Sequence, residues 1–453
     1  MPLFGLPRVP KLEAARSVGK LIKALGHHDV GIRRAAAEAL GRIGDAQAVD
    51  ALSVALTDAD SGVRRTAAEA LGRIGDPRAR DGLTVAMGDA DWLVRTATVK
   101  ALGRLGDAGA VGALVAALAD PDSGVRRTAA KALDGVGWKP GRDETGVVYW
   151  VAQREWSHCA EIGGPAVGPL IAALSDRDPD VRQGAAGALG RLGDRGAVDA
   201  VAGALVDRDA RVRQTAAEAL GLLGDARAVD GLVVAMHDSE AKVKWAAAEA
   251  LGHAGDARAV PALTDVVLSC PSEKLRLEAA RALGRIGDEA SVARLVDELT
   301  ATHDQSNSVA YVGPEGEEYP NRPRRDGAYV LGALAHVRAT ECLVRWLADS
   351  DPEAREAAAL ALGAVSGTGG VDALVHRATS DDYRTFMGDP IGHPGHYKVR
   401  CAAVLALHRI GTPEALAAIS SAWPGAEAAA HEYLDKRHQQ DELTCLGYAT
   451  TSS

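Results

Sequence analysis

The sequence predicts an all-α protein, an α-solenoid of about eleven two-helix repeats carrying three insertions. Three observations lead to this fold class. An apolar residue followed by a basic one recurs at Ile32, Val63, Val94, Val125, Val181, Val212, Val243, Leu275, Pro323, Ala354 and Val399, at intervals of 31, 31, 31, 56, 31, 31, 32, 48, 31 and 45 residues. A period of this size is that of stacked helical hairpins, each burying its apolar face only against its neighbours. Within one copy Val63, Ala67, Ala70, Leu71 and Ile74 fall at helical spacing, the stripe of an amphipathic helix. Aromatic residues are only 4 % of the chain, so the core is built from Ala, Val and Leu. At 453 residues the chain exceeds the size of a single globular core, but nearest-neighbour stacking lets one array keep growing, and one continuous domain is expected.

Residues 1–25 read as an N-terminal cap, with Leu3, Phe4 and Leu6 ahead of a first repeat that has no earlier neighbour to cover it. Residues 26–137 form a first block of repeats. In its second copy Asp58–Ser61 supplies a turn with capping residues, and the stripe from Val63 to Ile74 is the second helix of a hairpin. Gly75 offers the left-handed stop, Asp76 caps the next helix, and Pro77 stands at its first position, where a missing N–H costs nothing. The helix from Pro77 to Met87 then opens the following hairpin. Ala67, Ala68 and Gly72 keep neighbouring backbones close.

With these residues in place, the segment Val63 to Asp76, echoed at 32–45 and 212–225, resembles the HEAT-like repeat of the phycobilisome-lyase type, over roughly residues 20–420. The resemblance implies a right-handed superhelix with the second helices on the concave side. It implies little about activity, because that family spans chaperone-like lyases, hydroxylases and pure scaffolds. The basic residue of each copy, Arg33, Arg64, Arg95 and onward, could be an anion-binding ladder. Because it recurs with the repeat itself, it reads instead as structural, paired with acids such as Asp29, Asp60, Asp91 and Asp122.

Functional information should sit where repeats depart from their own pattern. Residues 138–164 hold Trp138, Trp150 and Trp156, and Tyr149, Ala152, Trp156 and Cys159 lie at helical spacing, which predicts one extra amphipathic helix. Residues 165–423 resume the repeats, with loop insertions near 302–322 and 380–397 that should project from one edge. Long loops on a rigid scaffold are the usual place for binding, and Tyr319, Asp381, Asp382, His393 and His396 are its candidate residues here. His393 and His396 form a His-x-x-His, but in a Gly/Pro-rich stretch without assured helical geometry, so no metal site is expected. Residues 424–453 read as a C-terminal cap and tail, amphipathic from Ala428 to Lys436.

On the second helices the positions predicted to face the concave side run Arg34, Glu38, Arg42 and Arg65, Glu69, Arg73 in the first two copies, ordinary solvated pairing at four-residue spacing. In later copies these columns bring Leu222, Trp245, His253, Leu277, Arg285 and Tyr329 instead. A surface tryptophan ringed by arginine and histidine is the composition of a protein-binding hot spot. Trp245, His253, Arg285, Tyr329 and Leu277 are therefore the candidate partner-binding residues.

Asp plus Glu exceeds Lys plus Arg by 61 − 51 = 10, which disfavours broad adhesion to nucleic acid or anionic lipid. Five scattered cysteines without a C-x-x-C pair read as free thiols of a reducing, cytoplasmic protein. No signal peptide or membrane span is discernible. Nor is there a phosphate loop, nucleophile elbow or paired catalytic carboxylate, and the one His-Glu dipeptide, His431-Glu432, lies outside the repeats and argues against a di-iron hydroxylase. These observations predict a non-catalytic scaffold that grips a protein or peptide, without a cofactor. The alternative they leave is a lyase or chaperone handling a tetrapyrrole or modified protein.

Overall fold

A computed structural model describes residues 9–305, 311–312, 318–319, 323–349, 352–365, 369–379, 394–411 and 425–437, together with residues 413, 417, 419, 420 and 423. It divides into two compact units, residues 1–197 and 198–453. In the first, two leading helices α1 (Val9–Ala14) and α2 (Val18–Ala24) precede α3 (Val30–Ile43). Hairpins follow: α4 (Val49–Ala55) with α5 (Ser61–Ile74), α6 (Arg80–Ala86) with α7 (Trp92–Leu105), and α8 (Val111–Ala116) with α9 (Ser123–Gly135). Then come α10 (Glu144–Gln153), α11 (Trp156–Ile162), and the hairpin of α12 (Val167–Ala173) with α13 (Pro179–Leu192).

The second unit pairs α14 (Val198–Gly203) with α15 (Ala210–Leu223), α16 (Val229–Ala235) with α17 (Ala241–Ala254), and α18 (Val260–Ser269) with α19 (Glu273–Ile286). It continues with α20 (Glu289–Gln305), α21 (Pro323–Leu334), α22 (Ala339–Trp346), α23 (Pro352–Ala364), α24 (Val371–Thr379), α25 (Pro394–Ile410) and α26 (Ala426–Arg437). Helix therefore reaches into both predicted loop insertions, since α20 runs to Gln305 and α25 starts at Pro394. Between α20 and α21 a two-residue antiparallel pair, β1 (Tyr311–Val312) with β2 (Glu318–Tyr319), sets Tyr311 opposite Tyr319.

The punctuation follows the sequence closely. Asp60 accepts from the Val63 N–H as N-cap of α5, and Gly75 ends that helix at φ +72. Asp76 then accepts from the Arg78 N–H. One difference is that Pro77–Ala79 forms a 3-10 turn before α6 begins at Arg80, because the Asp76 carbonyl receives the Ala79 N–H three residues on. Second helices stack backbone to backbone. A Cβ at Gly72 would stand 2.7 Å from the Ala101 Cα, and one at Gly41 2.8 Å from the Ala70 Cα, so only glycine permits the approach.

Several of the recurring arginines clasp two hairpins together. Arg64 donates through Nε and Nη2 to Asp89 at 2.6 and 2.9 Å, and through Nη1 to the Asp58 carbonyl at 2.8 Å. Arg33–Asp58, Arg95–Asp120 and Arg213–Asp238 repeat the same bidentate geometry. The structural reading of this arginine thus holds, but the partner is different. Asp29, Asp60, Asp91 and Asp122 cap their own helices, while the arginine takes an aspartate in the next hairpin's turn, two residues before the following cap.

The aromatic insertion is not one helix but two. Arg154 adopts a left-handed φ of +63 and breaks the stripe, held there by bonds to Asp178 at 2.7 Å and Asp180 at 2.9 Å. Helix α10 packs against α9 and α12, and α11 packs against α13. Tyr149 and Cys159 are buried, and the Tyr149 hydroxyl donates to Asp134 at 2.5 Å. Trp150 stacks on His158, with ring centroids 4.3 Å apart. Trp156 packs against Gly184 of α13, where a Cβ would meet its ring at 2.1 Å. Burial pushes the Cys159 thiol up to about 11, so it packs as a small apolar group.

Candidate functional site

The surface that departs from the repeat pattern lies on α15, α17 and α19. Their N-termini are set by Asp209, Glu240 and Ser272, and their ends by Gly224, Gly255 and Gly287 in left-handed conformation. Near these ends Leu222, His253 and Arg285 occupy equivalent positions on successive helices, and all three are exposed, Leu222 by 64 %. Each of the later two lies over the preceding helix: a Cβ at Gly221 would stand 3.4 Å from the His253 Nδ1, and one at Gly252 3.4 Å from the Arg285 Cδ. The three side chains form one strip along neighbouring helix ends.

Trp245 sits two turns before His253 on α17, about 12 Å along the axis. It is half-buried, and the Lys274 Nζ of α19 stands 4.1 Å from its ring centroid, a cation–π contact. Between the tryptophan and the strip, Glu218 and Glu249 are exposed, and the Gln214 side-chain amide donates to Glu218 at 2.8 Å. Arg281 is half-buried beside Glu278 at 3.5 Å. The patch therefore alternates apolar, cationic and anionic groups.

Leu277 and Tyr329 do not belong to it. Each is 1 % exposed, an apolar and an aromatic side chain covered within the stack although neighbouring positions such as Arg281 and Arg285 are not. Tyr329 lies in the core with the Arg325 guanidinium 5.5 Å from its ring centroid. Farther along, Leu360, Leu405, Glu356 and Cys401 are buried as well. Part of the cover is the chain's own C-terminal segment: the Tyr433 hydroxyl of α26 donates to Glu356, and the Cys401 thiol lies 3.6 Å from the Ala429 carbonyl. The sequence carried a signal for this burial, since residues 328–334, 357–364 and 401–407, within α21, α23 and α25, hold no charged side chain.

The edge-loop candidates divide. Tyr319 has its backbone in β2 and His396 has its backbone in α25, while Asp381, Asp382 and His393 lie outside the described residues. Among the described residues no group of three or more His, Cys, Asp or Glu side chains is arranged to hold a metal ion, and no helix is long and apolar enough to cross a membrane. The recurring arginines offer no free anion ladder where they form clasps. Asp89 and Asp238 are held below the usual carboxylate range, first by their arginine hydrogen bonds, and Arg64 and Arg213 are raised by the same bonds.

Comparison with known families matches the chain to the HEAT-repeat model over residues 18–98, 81–141, 167–241, 229–310 and 320–386. This protein belongs to the HEAT-repeat family. A further match, to the PBS lyase HEAT-like repeat, covers residues 399–422. Comparison with curated proteins finds no match. Among solved structures, this HEAT-repeat chain is similar to an engineered protein at 24 % identity, covering 95 % of this chain and 97 % of that one with a TM-score of 0.31. It is similar to the complex of CpcE and CpcF of phycocyanin lyase from Nostoc sp. PCC7120 at 23 % identity, covering 66 % and 96 % with a TM-score of 0.23. A third, human deoxyhypusine hydroxylase, shares 22 % identity over 55 % of this chain and 99 % of its own, with a TM-score of 0.26.

Proposed function

We propose that this HEAT-repeat protein is a non-catalytic scaffold that binds a protein or peptide partner across the second helices of its second unit, with Trp245, His253 and Arg285 as the principal contacts and Leu222 beside them. The observation that carries the proposal is Trp245. Its position holds Arg, Thr or Gln in every earlier copy, so the fold has no need of an indole there, and one part of the ring stays open to solvent. Burial of aromatic area by a partner is its natural use. The edge residues Tyr319, Asp381, Asp382, His393 and His396 complete the proposal as a flanking contact.

The test is paired. Trp245→Ala removes a half-exposed ring whose contact with Lys274 contributes about 0.5–1 kcal/mol, so the melting temperature should move little. Capture of the partner, identified by affinity purification with the wild-type chain, should weaken by about 2 kcal/mol, roughly 30-fold. A variant that melts markedly lower, or one that captures the partner as well as wild type, would remove the basis of this reading.

A further inference from the structure

Helix α10 of the aromatic insertion helps wall a recess in the first unit. It has a volume of about 410 Å³ and is walled by Leu118, Val148, Val151, Pro169 and Ala172, with Arg126 and Asp176 also lining it. This volume lies within the range of small-molecule pockets, about 300–1,000 Å³. Helix α10, packed against α9 and α12, brings Val148 and Val151 to its wall.

One clasp beside the recess differs from the others. Arg64 and Arg95 each give Nε and Nη2 to one carboxylate. Arg126, at the same position of its repeat, gives only Nη2 to Asp176, at 2.5 Å, and Nη1 to the Asp120 carbonyl, at 2.7 Å. Among the described residues its Nε has no acceptor, although Arg126 is only 7 % exposed. A buried guanidinium with an unused donor at the wall of an apolar recess is a convergent polar group of the kind that orients a ligand.

The acceptors around it are already engaged. Asp120 is taken up bidentately by Arg95, and Asp176 accepts from Arg126 and from the Asp178 backbone N–H. Neither carboxylate turns to the Arg126 Nε, which leaves that donor to an acceptor from a ligand, and a carboxylate makes the stronger, charge-assisted bond. We propose that this recess is a binding site for a small monocarboxylate with an apolar body, its carboxylate accepting from the Arg126 Nε and its hydrocarbon lying against Val148, Val151, Pro169 and Ala172.

The experiment is calorimetric titration of the full chain with sodium octanoate, with 1-octanol as the uncharged counterpart. One saturable site is expected, with octanol at least about 10-fold weaker, since a hydrogen bond to a charged group contributes that much or more. Ala172→Trp fills the recess from an exposed position without touching the clasp, and should abolish binding. Arg126→Lys, which lacks an Nε, should weaken octanoate by about 10-fold or more. Failure of octanoate to saturate into the millimolar range, or equal binding to the Ala172→Trp chain, overturns the site. Equal affinity for octanol and octanoate overturns the role of Arg126. Should Arg126→Lys fail to fold by circular dichroism, the other two comparisons still decide.

Discussion

The clasp between hairpins sets a measurable stability increment, and Arg64–Asp89 is the place to measure it. Arg64 and Asp89 have side chains only 17 % and 9 % exposed, so the pair lies between an exposed ion pair, about 0.2–1 kcal/mol, and a buried one, where losing one partner costs about 3–5 kcal/mol. Arg64→Ala removes two bonds to Asp89 and those to the Asp58 and Ala59 carbonyls. It leaves the Asp89 carboxylate with the Asp91 N–H but without its counter-charge. An expected cost is about 2–3 kcal/mol. Asp89→Ala should cost about 2 kcal/mol, since Arg64 keeps its carbonyl bonds. The coupling energy from a double-mutant cycle, followed by urea unfolding at neutral pH, should be about 1–2 kcal/mol. Because an array's stability is a sum over neighbours, amide exchange should quicken most in α5 and α7. A coupling energy below about 0.3 kcal/mol would show that the clasp is a solvated surface pair, and the account of how hairpins are joined here would fail.

Three further outcomes follow from the same geometry. Gly72→Ala places a Cβ 2.7 Å from the Ala101 Cα and should destabilise by about 1–3 kcal/mol through overpacking, whereas Gly112→Ala, with nothing within 4 Å, should gain up to about 1 kcal/mol; urea midpoints that move together would refute the close-approach argument. Acid should loosen the array: Asp58, Asp89 and Asp238 have folded pKa values depressed chiefly by arginine hydrogen bonds, so their stabilisation is complete above the unfolded value of about 3.9 and is lost as pH falls through the lower folded values, and an unfolding midpoint flat from neutral pH to about 3 would contradict it. The rung at Lys244 lacks its aspartate, since Cys270, whose carbonyl accepts from Arg276 at 2.8 Å as the Asp58 carbonyl does from Arg64, stands where the acid belongs; Lys244→Arg with Cys270→Asp should add about 1–2 kcal/mol, and calorimetry showing no gain would mean that the longer 32-residue interval moves the two groups out of reach.

How much was legible in the sequence depended on whether a feature is local or joins distant residues. Gly75, Asp60 and Asp76 could be placed from spacing alone because helix ends are settled within a few residues. The clasp was legible in kind but not in partner: turns such as Asp58/Asp60, Asp89/Asp91 and Asp120/Asp122 offer two aspartates two residues apart, and only the stacked hairpins show that the first takes the arginine while the second caps a helix. The insertion misled because Tyr149, Ala152, Trp156 and Cys159 share one helical spacing, while the break at Arg154 is imposed by Asp178 and Asp180 from another hairpin. Its one signal was Gly184, a glycine where neighbouring copies carry Thr or Ala, which leaves room for the Trp156 ring.

The candidate site divides along the same line. Trp245, His253 and Arg285 could be assigned to a surface because α15, α17 and α19 keep a polar column, Glu218, Glu249 and Arg281, beside them. Leu277 and Tyr329 shared the same register and went inside, because a position in a repeat faces solvent only while nothing later in the chain covers it. In the last hairpins something does: Tyr433 and Ala429 of α26 reach Glu356 and Cys401, residues in the same column as Trp245. The same column is thus open on α17 and closed by the chain itself on α23 and α25, and this difference, set by a segment some 180 residues after the tryptophan, leaves α15, α17 and α19 as the stretch of the second unit where a partner's side chains can reach an indole.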